Sequence, residues 1–118
     1  MSSEVKFKRL DGLIVALTGP GEKPFIKYEV IKPLGLLRII STYVPPQQRG
    51  RGLAELLVKE AIKIAKEENL KIEPICSYAL YYFIKNKHER EVLADWLRNK
   101  TDEELNALYQ YILSLEKK

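Results

Sequence analysis

A chain of 118 residues, of which 46% are hydrophobic and 31% charged, has the size and composition of one globular domain, which excludes the disordered and fibrous classes. No apolar run approaches the roughly 20 residues that cross a bilayer, and no signal-peptide core opens the chain, so we expect a cytoplasmic protein without a membrane partner. The net charge of +4, basic over residues 1–88 and acidic over 89–118, suits a polyphosphate ligand or nonspecific nucleic-acid binding but indicates neither by itself.

The first third of the chain predicts an antiparallel meander. Residues 5–10 and 13–17 read as two short strands joined by an Asp-Gly dipeptide, which is a two-residue hairpin signal. A loop rich in glycine and proline follows, and alternating and apolar residues then predict strands at 25–31 and 36–44. Two prolines end the last of these strands, because proline has no amide to donate to a sheet.

The rest of the chain predicts mainly helices. From Leu53 apolar residues recur at helical spacing, and Asn69 predicts the end of that helix. Beyond it we predict a strand at 71–76 and helices at 78–87, at 90–98 and from the capping box Thr101-x-x-Glu104 onward. This order predicts a mixed α/β (α+β) fold with a mainly antiparallel sheet, a central helix crossover and a C-terminal helical extension.

The turn at residues 47–52, Gln-Gln-Arg-Gly-Arg-Gly, is the most informative segment. Its glycines allow unusual backbone angles and the close approach of a ligand, and it opens onto a helix whose first amides lack partners. Those amides, the helix dipole and the two arginines favour an anion. A tight turn alone would also explain Gly50 and Gly52. The spacing matches neither a P-loop nor the dinucleotide fingerprint, because it has no Gly-Lys-Ser/Thr and no third glycine.

In its position between a strand and an amphipathic helix, this turn resembles the Gln/Arg-x-x-Gly-x-Gly/Ala signature of the GNAT (N-acetyltransferase) superfamily. Val-Pro-Pro at 44–46, and Cys76 followed six residues later by Tyr82, resemble its minimal single-domain, YjdJ-like branch. The resemblance covers about residues 5–89. It implies a GNAT-like fold that takes acetyl-CoA as acetyl donor and an unidentified amine as acceptor.

The resemblance also implies where coenzyme A binds. Backbone amides of the turn would hold its pyrophosphate, and its pantetheine arm would enter a V-shaped slot between the strands at 36–44 and 71–76. The residues implied to bind the coenzyme are Tyr43, Val44, Gln48, Arg49, Gly50, Arg51, Gly52, Leu53 and Ala54.

Acyl transfer to an amine needs a proton for the departing thiolate, and the resemblance implies that Tyr82 supplies it. Tyr81 lies about 100° away around the predicted helix. At least one member of the cluster that these two residues form with Tyr78 is expected to pack in the core.

The lone cysteine, Cys76, faces the acetyl group if the resemblance holds. It would then either accept the acetyl transiently, which requires a thiolate and therefore a low pKa, or line the pocket. With one cysteine and one histidine in the chain, we expect no internal disulfide and no metal site.

A catalytic base is harder to assign. The minimal branch often has His-Thr-Glu ahead of its Val-Pro-Pro, where this chain has Ser41, Thr42 and Tyr43. Glu73 and His88 are the remaining candidates, and each would equally suit a position on the surface.

Two functions therefore stay open. The first is an N-acetyltransferase acting on a small amine or a protein amino group, and the second is a coenzyme-A-binding module with little or no transferase activity. A nucleic-acid partner is disfavoured, because the basic residues form no single-faced stripe and no helix reads as a recognition element.

The segment 90–118, which the minimal branch lacks, is predicted to be a helical extension of a coenzyme-binding core at 1–89. It carries too much apolar surface to leave in water, so we expect it to pack on the core or in a homodimer interface. Its large apolar residues are Val92, Leu93, Trp96, Leu97, Leu105, Leu108, Tyr109, Ile112 and Leu115.

Overall fold

The computed structural model describes residues 5–117, which form one sheet with helices packed against it. The strands are β1 (Lys6–Leu10), β2 (Leu13–Leu17), β3 (Phe25–Ile31), β4 (Leu36–Tyr43) and β5 (Lys71–Pro74). The α-helices are α1 (Leu53–Glu67), α2 (Ser77–Lys85), α3 (Asp95–Arg98) and α4 (Asp102–Glu116). Within this described part, no helix has both the length and the apolar composition that a bilayer crossing requires.

The sheet follows the chain order, β1-β2-β3-β4-β5. The first three pairings are antiparallel, whereas β5 runs parallel to β4 because α1 crosses over between them. The predicted mixed, mainly antiparallel sheet with a central helix crossover is confirmed.

The parallel strands β4 and β5 separate halfway along β4. Their pairing ends with Ile39 opposite Pro74, and the amides of Ile75 and Cys76 then both donate to the Ile39 carbonyl, at 2.9 and 3.2 Å. The strand predicted at 71–76 therefore ends two residues early. Beyond this point, residues 41–43 pair with β3 and not with β5, which opens a slot at the carboxyl ends of the two strands.

Helix α1 is bounded by two residues with left-handed backbone angles. Gly52, with φ 75°, precedes its first turn, and no side chain caps that end of the helix. Asn69, with φ 58°, follows its last turn, as the sequence predicted. Its apolar face packs on β2, β3 and β4 and contributes to the core Leu53, Leu57, Val58, Ala61, Ile62, Ile64 and Ala65.

The single helix predicted at 90–98 is wrong. A 3₁₀ turn at Lys87–Val92 is followed by an extended residue, Leu93, which bridges in parallel to Ile72, and the Ala94 amide donates to the Ile72 carbonyl at 2.9 Å. Apolar spacing predicted a helix there, but the open edge of β5 offers Leu93 backbone partners that a helix would forgo. Within the predicted range, only the single turn of α3 is α-helical.

Residues after position 89 contribute to the same core as the sheet. Val92, Leu93, Leu97 and Leu105 are buried in it, while Trp96 is 51% exposed. Helix α4 packs mainly on α2. It begins with the predicted capping box, in which the Glu104 amide donates to Thr101 Oγ1 and the Thr101 amide to Glu104 Oε1.

Candidate active site

The turn before α1 leaves its backbone open to a ligand. Gly50 and Gly52 have φ values of 84° and 75°, in the left-handed region that favours glycine. A Cβ atom added at either position would meet no atom within 4 Å, so there is open space beside both. The first amides of α1 have no side-chain cap and meet the positive end of the helix dipole here. The arrangement suits an anion.

Side chains of the turn hold its shape. The Thr18 hydroxyl donates to Gln48 Oε1 at 2.7 Å, and Gln48 Nε2 donates to the Glu22 carbonyl at 3.0 Å. Arg49 Nε donates to the Val44 carbonyl at 2.9 Å, which closes the turn. The buried Gln48 side chain therefore supports the turn from behind, which leaves only the backbone of Gln48 free to meet a ligand.

A groove of about 410 Å³ runs from this turn to the last residues of β4. All nine residues predicted to bind the coenzyme line it except Arg51, which is exposed beside it. Glu55 is the one acidic residue in its wall, and Glu55 Oε2 lies 3.6 Å from Lys59 Nζ. The lining consists of Thr42, Tyr43, Val44, Gln48, Arg49, Gly50, Gly52, Leu53, Ala54, Glu55 and Tyr78.

A second cavity, of about 340 Å³, continues the groove across the slot between β4 and β5. The two share Thr42 and Tyr78. We call this second space the thiol cavity, because Cys76 lines it at the start of α2. Its lining consists of Ile40, Ser41, Thr42, Cys76, Ser77, Tyr78 and Glu116.

Cys76 is 8% exposed, and its sulfur lies 3.5 Å from the Thr42 hydroxyl oxygen. Burial raises the pKa of this thiol, and the contact with Thr42 offsets part of that effect. The group is therefore a neutral thiol near neutral pH, which favours the pocket-lining interpretation over nucleophilic catalysis.

We expect the alkylation of Cys76 by iodoacetamide to rise with pH, with a midpoint above the value of about 8.5 for a free cysteine. Thr42→Val should move the midpoint higher still, because it removes a contact that lowers the pKa. Intact-mass kinetics measure both, with the protein unfolded in guanidinium as the control. A midpoint below that of the unfolded control would show that the thiolate is stabilised.

The structure does not bring Tyr82 to the groove. Its side chain is 2% exposed, and its hydroxyl donates to Glu89 Oε2 at 3.1 Å. Burial, followed by this contact, raises its pKa. Tyr81 is exposed and packs its ring against that of Tyr109, at a centroid distance of 5.7 Å.

Tyr78 is the tyrosine that lines both the groove and the thiol cavity, and residue spacing alone missed it. Helix α2 begins at Ser77, beside the slot. A residue in its first turn therefore faces the slot, whereas Tyr82 lies about 6 Å further along the helix axis. Burial also raises the pKa of Tyr78, which keeps its hydroxyl protonated.

Neither base candidate from the sequence lines these spaces. Glu73 accepts from Arg38 Nε at 2.8 Å and from Trp96 Nε1 at 2.7 Å, on the paired part of β5. His88 is exposed in the 3₁₀ turn that follows α2.

Comparison with known proteins gives the family. The model of the GCN5-related N-acetyl-transferases matches residues 14–92, which is most of the chain. The solution structure of a GCN5-like protein from Staphylococcus aureus has a similar fold, with a TM-score of 0.63 and 23% identity over 79% of this chain and 91% of that one. The turn, the slot and the crossover helix all lie within the matched residues. The chain belongs to the GCN5-related N-acetyltransferase family.

Proposed function

We propose that the protein transfers the acetyl group of acetyl-CoA to a primary amine. The observation that carries the proposal is the adjacency of two cavities: the groove beside Gly50 and Gly52 and the thiol cavity share Thr42 and Tyr78 in their walls. An anion-binding end joined to a narrow slot matches the shape of a coenzyme with a pyrophosphate and an extended arm.

Different parts of the groove would bind different parts of the coenzyme. The free amides at the start of α1 would hold the pyrophosphate, and Arg49 and Arg51 would add positive charge. The edge of β4 at Thr42 and Tyr43, with Val44 just beyond the strand, would bind the amide-bearing pantetheine arm, because these residues have no backbone partner from β5. The thioester then reaches the thiol cavity.

In the transfer step, the neutral amine nitrogen attacks the thioester carbonyl carbon, a carbon–nitrogen bond forms, the carbon–sulfur bond breaks and the nitrogen loses one proton. We assign the proton that the departing thiolate takes to Tyr78, whose side chain lines both spaces, and the proton lost by the nitrogen then restores the Tyr78 hydroxyl. We assign Cys76 to the wall of the cavity and Tyr82 to holding α2 in place through Glu89. The acetyl group passes directly from coenzyme to amine.

Tyr78→Phe should lower turnover by roughly 10²-fold or more while leaving the affinity for coenzyme A unchanged, because only the proton donor is lost. Tyr82→Phe is the matched control. It removes the hydrogen bond to the Glu89 carboxylate, which is worth about 1.5–3 kcal/mol, so it should lower the melting temperature but change turnover only a few-fold. Chromatographic measurement of released coenzyme A decides between them. The opposite pattern would restore the catalytic role to Tyr82.

A coenzyme-binding module without transferase activity is the alternative, and the missing base on β4 favours it. Calorimetry with coenzyme A, beside turnover measured over a panel of primary amines, separates the two. Binding without turnover on any amine supports the module. Absence of binding contradicts both, and a rise in melting temperature with DNA alone would favour a nucleic-acid partner.

A further inference from the structure

A third cavity, of about 410 Å³, lies beyond the thiol cavity and shares Ile40 and Glu116 with it. We call it the apolar groove. It lies between the end of β5 and the last turns of α4, and Ile40, Ile75, Trp96, Ile112 and Leu115 form most of its wall. The Trp96 indole is held in position by its hydrogen bond to Glu73. The groove is thus a preformed apolar space that opens toward the thiol cavity.

Glu116 stands where the apolar groove meets the thiol cavity. Its Oε2 accepts from the Ser77 amide at 2.9 Å, and its Oε1 accepts from the Ser77 hydroxyl at 2.5 Å. The carboxylate therefore caps the N-terminus of α2, where the helix dipole favours a negative charge. A carboxylate offers about four lone-pair sites, and Ser77 uses two of them.

Among the described residues that line the apolar groove and the thiol cavity, Glu116 is the only charged one. A fixed carboxylate beside apolar walls complements a molecule with a single cation attached to an apolar body. An ammonium group on Glu116 would lie at the edge of the thiol cavity, to which the proposed function assigns the thioester. The body of the same molecule would then extend into the apolar groove.

We propose that the acetyl acceptor is a small primary amine with an apolar body at least as large as a phenyl ring, whose ammonium group Glu116 binds before it loses a proton to solvent and attacks as the neutral amine, and whose body lies in the apolar groove. The inference rests on the proposed function, because that function assigns the acyl end to the thiol cavity. It narrows the acceptor to apolar amines and gives the C-terminus of α4 a role in specificity.

The ligand series tests the chemistry of the site. Calorimetry should show that 2-phenylethylamine binds more tightly than 2-phenylethanol, which lacks the charge, and than ethylamine, which lacks the body. 3-Phenylpropionate, with the opposite charge, should not bind. Equal binding of the amine and the alcohol would overturn the role of Glu116, and equal binding of the two amines would overturn that of the groove.

Glu116→Gln should weaken the binding of 2-phenylethylamine by roughly 10–100-fold, since a charged hydrogen bond is lost. The glutamine oxygen can still accept from Ser77, so the start of α2 stays capped. Glu91→Gln, at another exposed carboxylate, is the control and should bind the amine as the parent does.

A second pair of variants tests the apolar groove without touching the cap. Leu115→Lys places a cation in the groove and should abolish binding of the amine. Leu17→Lys is its control, because Leu17 is 48% exposed and Leu115 47%, and Leu17 lies on β2 outside these cavities. Unchanged amine binding in a folded Leu115→Lys variant would overturn the proposal.

Coenzyme A titrated into the same preparations keeps the two proposals apart. If coenzyme A binds the parent protein but 2-phenylethylamine does not, the acceptor inference fails and the proposed function stands. If the amine binds and coenzyme A does not, the proposed function fails and the acceptor role of the groove fails with it. A dimer that dissociates in Leu115→Lys, with no amine binding in the parent, would instead show that a second copy covers the groove.

Discussion

Gly52→Ala is expected to lower the affinity for coenzyme A by roughly 10²-fold or more. Gly52 lines the groove, and the space that its added Cβ would enter holds no atom within 4 Å. The proposed pyrophosphate approaches the first amides of α1 through this space. A methyl group there would keep it from several charged hydrogen bonds of roughly 1.5–3 kcal/mol each. Isothermal titration calorimetry measures the loss.

Gly35→Ala separates this effect from backbone strain. Gly35 has φ 65°, its added Cβ would also meet no atom within 4 Å, and it precedes β4 at the end far from the groove. Both alanine variants should lose roughly 1–2 kcal/mol of stability, because both force a left-handed angle on a residue with a Cβ. The Gly35 variant should keep its full affinity for coenzyme A. An unchanged affinity in the folded Gly52 variant would refute the assignment of the turn.

Truncation after Glu89 is expected to leave a chain that aggregates or unfolds. It removes the buried side chains of Val92, Leu93, Leu97 and Leu105 from the common core. Each such burial is worth roughly 1.5–3 kcal/mol, so their sum approaches the whole stability of a typical domain, about 5–15 kcal/mol. Light scattering and thermal melting measure the outcome. A soluble monomer that melts as the parent does would make residues 90–118 dispensable.

Point variants test the same expectation in an intact chain. Leu105→Ala should lower the free energy of unfolding by about 2–5 kcal/mol, because Leu105 is 0% exposed. Leu115→Ala, at a position 47% exposed on the same helix, should change it by less than about 0.5 kcal/mol. Equal effects of the two would contradict the packing of α4 on the core.

Local signals predicted most of the fold. The four strands of the meander, the capping box of α4 and the end of α1 at Asn69 each depend on residues close in the chain, such as alternating apolar residues or a residue suited to a left-handed angle. The glycine turn was also predicted from a local signal, because Gly50 and Gly52 are themselves the residues that allow left-handed backbone angles.

The structure differs from the sequence expectations where contacts between distant residues decide. Leu93 is extended because the free edge of β5 provides backbone hydrogen-bond partners for this segment. The sequence of residues 90–98 carries no signal that such an edge lies nearby. The sequence favoured Tyr82 over its neighbour Tyr81 as proton donor, whereas the position of Tyr78 beside the slot depends on where α2 begins. Glu116 escaped notice because its partner, Ser77, lies 39 positions away.

The chemical-shift changes that coenzyme A causes in the amides of isotope-labelled protein test the central claim most directly. We predict that the largest changes lie at residues 48–54 and 42–44, with smaller ones at Cys76 and Tyr78 along the slot. Changes that are absent at saturating coenzyme, or that concentrate away from the turn and the slot, would contradict the assignment of this site.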